Sequence, residues 1–136
     1  MSENLELVRS IFAAWGRGDF GSVEWADPEI EFVIADGPAP GSWKGLSGMM
    51  EGWRDFLSAW EGWRGEAEEY RDVDGERVLV LIVGSGRGKT SGLAAEQIRA
   101  RGVNLFYLRN GKVAKLVVYF NRDRALADLG LAPEVR

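Results

Sequence analysis

The sequence predicts an α+β fold, with helical patterns in the first half of the chain and strand patterns in the second. Three observations carry that prediction. Residues 3–16 and 46–60 repeat apolar side chains at three- and four-residue spacing, the period of a helix with one buried face. Residues 78–83 and 98–121 are dense in β-branched and aromatic residues. The pair Asn110-Gly111 sits inside the last run, and such a pair signals a β-hairpin, because a type I′ turn needs φ > 0 at both central positions.

Taken in order, the first helix covers 3–16, with Leu5, Val8, Ile11, Phe12 and Trp15 as its stripe, Ser2 as cap and Gly16-Arg17-Gly18 as its end. Asp19 caps a short second helix carrying Phe20, Val23 and Trp25; it stops at Asp27-Pro28, since a residue before proline avoids the α region. Glu29 to Ile34 is a strand. Residues 35–42 form a loop rich in Gly and Pro, suited to a rim or lid. Trp43-Lys44-Gly45 leads into the longest helix, Leu46 to Trp60, whose stripe is Leu46, Met49, Met50, Trp53, Leu57 and Trp60. A stripe of Met and aromatic residues is core or ligand wall, and one helix can serve as both.

Arg64 to Val73 is a strand, Asp74-Gly75 a turn, and Arg77 to Val83 an unbroken apolar strand that is buried on both faces or lies where two chains pack. Residues 84–92 form a turn before the hairpin. On its first strand Ile98, Ala100, Gly102, Asn104, Phe106 and Leu108 share one face, and Asn104 is the only polar side chain in that row. Ala114, Leu116, Val118 and Phe120 form the matching row on the second strand, while Arg99 and Arg101 alternate away. A short helix from Arg122 to Leu129 closes the chain, capped by Asn121 or Asp123. With no repeat and no linker, residues 1–136 read as one domain.

Composition narrows the chemistry. A net charge of −4 without a basic stripe argues against a nucleic-acid partner. No apolar run approaches the ~20 residues of a membrane span, and the start MSENLELVRS lacks the charge and apolar block of a signal peptide, so cytoplasmic residence is expected. With neither Cys nor His, thiolate nucleophiles and the usual zinc ligands and general base are missing. No metal and no cofactor is expected. Any catalysis must run on carboxylates, amides, Tyr, Lys or Arg.

The run G84-S-G-R-G-K-T90 invites a phosphate-loop reading and fails it. That motif needs Gly six residues before the Lys, where this chain has Val83, and it must open a helix, whereas Leu93 onward reads as strand. The candidate chemical residues are those that would meet an apolar hollow. Asn104 is an oxyanion donor or a structural amide; Asn121 is a site residue or a helix cap; Asp36 is a base or the head of an Asx-turn before Gly37. Tyr70 and Tyr119 would assist with their hydroxyls or simply pack. Glu66, Glu68, Glu69 and Glu96 read as solvated strand edges. The expected walls for a small apolar ligand are Trp15, Trp43, Trp53, Trp60, Tyr70, Phe106 and Tyr119, and a hollow closed by its Trp side chains would make the fold purely structural.

Four stretches carry a resemblance across nearly the whole chain: I11-F-A-A-W-G-R-G-D19-F, D27-P-E-I-E-F32, W43-K-G-L-S-G48, and L108-R-N-G-K-V113 through Y119-F-N-R-D-R-A-L-A-D-L-G-L131. In this order they resemble the NTF2-like superfamily, and within it the SnoaL-like, ketosteroid-isomerase-like proteins. The resemblance implies a cone: two short helices and one long helix packed in a strongly curved mixed β-sheet, commonly paired into a homodimer through the sheet. It implies isomerase, cyclase, hydrolase or dehydratase chemistry, or none, because fold does not settle function. The catalytic groups mostly do not carry over. Val33 stands where a steroid isomerase has its carboxylate base, Ile11 where it has its oxyanion-hole Tyr, and Asn104 where it has a protonated acid. Many SnoaL-like members have His at the Asn104 position and Asp at the Asn121 position, and the Arg-x-Asp pair of the epoxide hydrolases is met only by Arg99-Ala100-Arg101. Asp36 would supply a base were its loop to fold back.

Overall fold

The computed structural model describes residues 3–19, 21, 23–36, 40–58, 60–88 and 97–130. Ser2, Phe20, residues 37–39 of the proposed rim, 89–92 of the proposed turn and Glu96 lie outside the described residues, as do the side chains of Ile98, Arg99 and Ala100. The elements run α1 (Glu3–Gly16), β1 (Ala26–Ile34), β2 (Gly41–Lys44), α2 (Gly45–Ser58), β3 (Trp60–Asp72), β4 (Arg77–Gly88), β5 (Gln97–Arg109), β6 (Lys112–Tyr119) and α3 (Arg122–Asp128). The strands form one six-stranded sheet in the order β2-β1-β6-β5-β4-β3. It is mixed, since β1 runs parallel to β6 while every other pair is antiparallel. The α+β expectation holds, and the sheet curves around α1 and α2 in the manner of an NTF2-like cone.

The expected short helix from Asp19 to Trp25 is not formed by its described residues. Gly18 turns the chain with φ 82°, and Val23 to Trp25 makes a tight turn into β1, the Ala26 N–H donating to the Val23 carbonyl at 3.0 Å. Strand β1 then begins at Ala26 and includes Pro28, where proline has no N–H to give; the parallel ladder to β6 breaks its register between Ala26 and Glu31. The two long helices are equal, at 14 residues each, and the third is the C-terminal one. Helix α2 ends at Ser58, so Trp60 belongs to β3 and not to the helix. Its buried side also differs from the expected stripe. Met49 and Gly52 are buried, Leu46, Trp53 and Phe56 pack on the core, and Met50 faces out at 40% exposure. Gly52 is needed there, because a Cβ would stand 2.8 Å from the Trp43 ring and 2.9 Å from that of Phe32.

The hairpin forms as its turn chemistry dictates, with Asn110 at φ 54° and Gly111 at φ 75°. One residue departs from the expected row: β6 carries a bulge, since Tyr107 pairs with Lys115 but Leu108 pairs with Val113. Ala114 is the extra residue, and Val113 takes its place in the core beside Leu116 and Val118. Strand β3 is irregular twice, between Glu61 and Arg64 and between Ala67 and Glu69. Each bulge adds local twist, which is what bends the sheet.

Both faces of the sheet are buried. The concave face carries Phe32, Ile34, Val78, Val80, Ile82, Phe106, Leu116 and Val118 against α1 and α2. The convex face carries Leu79, Leu81, Val103, Leu105, Val117 and Tyr119 under Ala125 and Leu126 of α3. The run Val78–Val83 is thus two-sided, as its unbroken apolarity implied. Asn121 caps α3, its side-chain oxygen accepting from the Arg124 N–H at 3.0 Å. Arg122 is buried in this layer and donates to the Ile82 carbonyl and to Glu68, both at 2.8 Å, and to the Gly102 carbonyl at 3.4 Å.

Candidate functional site

Between the concave face and the two long helices lies a cavity of about 310 Å³. That is the lower end of the range for small-molecule sites, which runs from ~300 to ~1,000 Å³. Helix α1 contributes Phe12, Trp15 and Gly16, and α2 contributes Trp53 and Phe56. Phe32 and Ile34 come from β1, Trp63 to Glu66 from β3, Ile82 from β4, Asn104 from β5 and Val118 from β6. The aromatic walls brace one another. Phe32 stacks on Trp53 at 5.0 Å, Trp15 meets Trp53 edge-on at 5.2 Å, and Phe56 meets Trp63 edge-on at 5.0 Å.

Asn104 is 4% exposed, and its Oδ1 is buried with no hydrogen-bond partner among the described residues. An acceptor left this way costs about 1–3 kcal/mol. It stands on the concave row, on the cavity wall, as the alternation of β5 requires. Arg64 and Glu66 also border the cavity, but they pair with Ser85 and Val83, out of phase with the inward Ile82. That register assigns their side chains to the convex side. Apart from the indoles, Asn104 is then the polar side chain that the inner wall presents among the described residues.

The other expected site residues divide by face. Trp15 and Trp53 line the cavity. Trp43 lies behind it, tilted against Phe32 at 5.7 Å and covering Gly52. Phe106 is fully buried beneath Phe12 and Trp15, so it supports the wall without reaching the space. Trp60 packs on Phe56 and Trp63 outside the lining. Tyr70 packs edge-on against Phe12 at 5.9 Å with the Arg9 guanidinium over its ring at 4.5 Å; burial raises its hydroxyl pKa and Arg9 partly offsets this.

Tyr119 is on the convex face, so it cannot assist in the cavity. Its hydroxyl donates to Asp128 Oδ2 at 3.3 Å, and burial, then the Asp128 charge, push its pKa up. Asp36 sits where β1 ends, and its carboxylate accepts from the N–H groups of Phe120 at 2.5 Å and Asn121 at 3.4 Å. It ties β1 to the end of β6 and is not among the cavity's lining residues. Asn121 is exposed and occupied as the α3 cap. Val33 packs on the convex cluster, and Ile11 is core. No group of Cys, His, Asp or Glu among the described residues could hold a metal ion.

Sequence reasoning missed Phe12, Phe32, Phe56 and Trp63 as walls. The first two carried a signal, standing on the apolar phase of α1 and β1. Phe56 lies four residues after Gly52, whose lack of a side chain hid the true stripe. Trp63 reaches inward only because β3 is irregular.

A family model described as a SnoaL-like domain matches residues 8–116. No curated protein matches the chain at the sequence level. Among solved structures, an NTF2-like protein of unknown function from Burkholderia pseudomallei K96243 superposes with a TM-score of 0.77 at 19% identity, covering 93% of this chain and 97% of that one. TerC, co-crystallised with polyporic acid, is similar at a TM-score of 0.73 and 21% identity, covering 96% and 98%. An NTF2-like protein from Burkholderia xenovorans LB400 is 28% identical with a TM-score of 0.66, covering 93% and 94%. No helix among the described residues is long and apolar enough to cross a membrane.

Proposed function

We propose that this chain, which belongs to the SnoaL-like domain family, binds a small, flat, largely apolar molecule with one oxygen function in the cavity between α1, α2 and the concave sheet. The observation that carries the reading is Asn104: a buried amide oxygen without a partner among the described residues, beside a space walled by aromatic rings. Protein interiors pair their buried polar groups, so an unpaired one next to a void invites a ligand to complete it. Scaled from an apolar cavity of about 150 Å³ that takes benzene, the cavity's 310 Å³ suits a guest of roughly 12 to 15 non-hydrogen atoms. That TerC, of the same fold, was co-crystallised with polyporic acid supports the small-molecule reading.

A second reading is favoured by the same amide. Through its Nδ2–H group, not the unpaired Oδ1, Asn104 can stabilise developing charge on a bound oxygen without moving a proton, which suits an isomerisation or ring closure of a substrate that supplies its own acidity. Proton transfer by a positioned side chain typically contributes ~10²–10⁴-fold, and Asn cannot supply it. Asp36 would have to leave the Phe120 and Asn121 amides to act as a base. We extend the proposal to a single cytoplasmic domain that pairs with a second copy through the convex face, around the half-buried Val33 and Tyr107; sedimentation of the intact chain reads that pairing.

The test is titration of small phenols and alcohols, whose O–H can donate to Asn104 Oδ1, against intrinsic Trp fluorescence, which Trp15 and Trp53 on the wall make sensitive. Wild type is expected to bind, and Asn104→Ala to bind at least about tenfold more weakly, the worth of roughly one hydrogen bond. Equal affinity in the two proteins would remove the reading. Turnover that disappears in Asp36→Asn with binding retained would restore acid–base catalysis.

A further inference from the structure

The cavity does not end cleanly at its inner wall. A second, narrow void of about 20 Å³ lies against it, and four residues, Phe56, Trp63, Ile82 and Val118, belong to both linings. Gly84, Gly102, Tyr119 and Phe120 complete the smaller space, Tyr119 with its backbone, whose carbonyl lies against Gly102. Of the shared walls, Ile82 and Val118 rise from the middle of the sheet and Phe56 from α2, positions the backbone holds. Trp63 is different. It is only half-buried, at the irregular end of β3 just after Gly62, whose φ is 65°.

Gly84 shows why that indole can be where it is. A Cβ built there would stand 2.6 Å from two atoms of the Trp63 ring, so the ring lies directly on bare backbone. On its other sides it meets Phe56 at 5.0 Å, Trp60 at 5.2 Å and Phe120 at 6.2 Å. No hydrogen bond of the Trp63 side chain contributes to this seating among the described residues.

We infer that Trp63 is a specificity-determining partition: it sets the length of the guest by dividing the space between the aromatic walls from the void over Gly84 and Gly102. This rests on the binding reading above. Removing the indole joins the two spaces along the concave face and adds the ring's own volume, so the gain is in length, in the direction away from α1. Filling Gly84 acts the opposite way, because a methyl group there drives the indole into the main cavity.

The experiment compares 4-phenylphenol with its homologue one ring longer, 4-hydroxy-p-terphenyl, by equilibrium dialysis, a readout that the loss of a Trp does not disturb. Wild type is expected to favour the shorter guest. Trp63→Ala is expected to raise affinity for the longer guest relative to the shorter by tenfold or more, and Trp63→Leu, which packs better, to lie between. Gly84→Ala is expected to weaken even the shorter guest by about tenfold. A ratio unchanged within twofold in both Trp63 variants, with binding intact, would overturn the partition and leave the binding reading standing. Absence of binding in wild type and every variant would overturn both.

Discussion

On the concave face, Asn104 is buried beside open space with its carbonyl oxygen unpaired among the described residues; on the convex face, Arg122 is buried in a closed layer and hydrogen-bonded to two carbonyls and a carboxylate. Both are at or below 5% exposure, on opposite faces of one sheet, so burial by itself does not mark function. The difference lies in what surrounds them. Arg122 reaches the second bulge of β3, where Glu68 is the extra residue and Ile82 stands opposite, and its fork answers the polar groups gathered there. Asn104 is ringed by Trp, Phe and Ile side chains that leave its acceptor unanswered. A satisfied polar group next to tight packing is a structural device. An unsatisfied one next to a void is where the proposed guest would be held.

That contrast is open to breakage, and the largest effect belongs to the convex side. Arg122→Ala strands two buried carbonyls and removes the packed stem of the side chain, so it is expected to lower stability by about 3 kcal/mol in urea unfolding, with guest affinity unchanged where the protein remains folded. An effect under ~1 kcal/mol would show that water replaces the guanidinium and that the two faces are less different than they look. Asn104→Leu should move stability the other way or not at all, by at most about 1 kcal/mol, because it removes an unpaired acceptor and fills space. The same variant should lose roughly tenfold or more in affinity for a hydroxylated guest. Strong destabilisation by Asn104→Leu would instead make Asn104 a structural amide.

The smallest effect separates the two tyrosines from the site. Tyr119→Phe loses one partly exposed hydrogen bond to Asp128, so a cost of at most ~1 kcal/mol is expected at neutral pH. Its pH dependence is more telling. Burial and Asp128 raise the folded-state pKa of Tyr119 above the ordinary tyrosine value of about 10. The unfolded chain therefore releases this proton first, so the contribution to stability is fully present below that value and is lost as the pH climbs through the folded pKa. Tyr119→Phe is expected to flatten the alkaline limb of a stability curve, with Tyr70, also raised by burial, left to account for the remainder. An unchanged limb would mean that Tyr119 is not shielded as the convex layer implies.

Where a residue's role depends on its immediate neighbours in the chain, the sequence was a sufficient guide. Asn110-Gly111 needs only its own φ angles to make the turn, Asn121 needs only the three residues after it to make a cap, and the two-sided apolar run at Val78–Val83 needs only its composition. Asn104 was legible as a lone amide in an apolar row because β5 keeps strict alternation through it. Tyr119 falls out of phase with Leu116, Val118 and Phe120, so alternation already turned it from the Asn104 face; what the sequence did not show is that α3 covers the opposite face. Asp36 was legible as a loop carboxylate but not as the clamp on Phe120 and Asn121, whose amides come from 84 and 85 residues away.

By itself, then, the sequence determined the α+β class, the hairpin and its turn, the helices at 3–16 and near 45–58, and the presence of one amide in an apolar wall. Only the tertiary structure decided the inner surface. Trp60 with Trp63, Ala67 with Tyr70, and Val113 with Leu116 are each three residues apart and yet reach the same side, which a period of two forbids. A bulge makes each pair possible, and a bulge is a property of two strands in register, absent from either strand alone. The curvature of the sheet, the place of Trp63 and the cavity that Asn104 faces all follow from those registers.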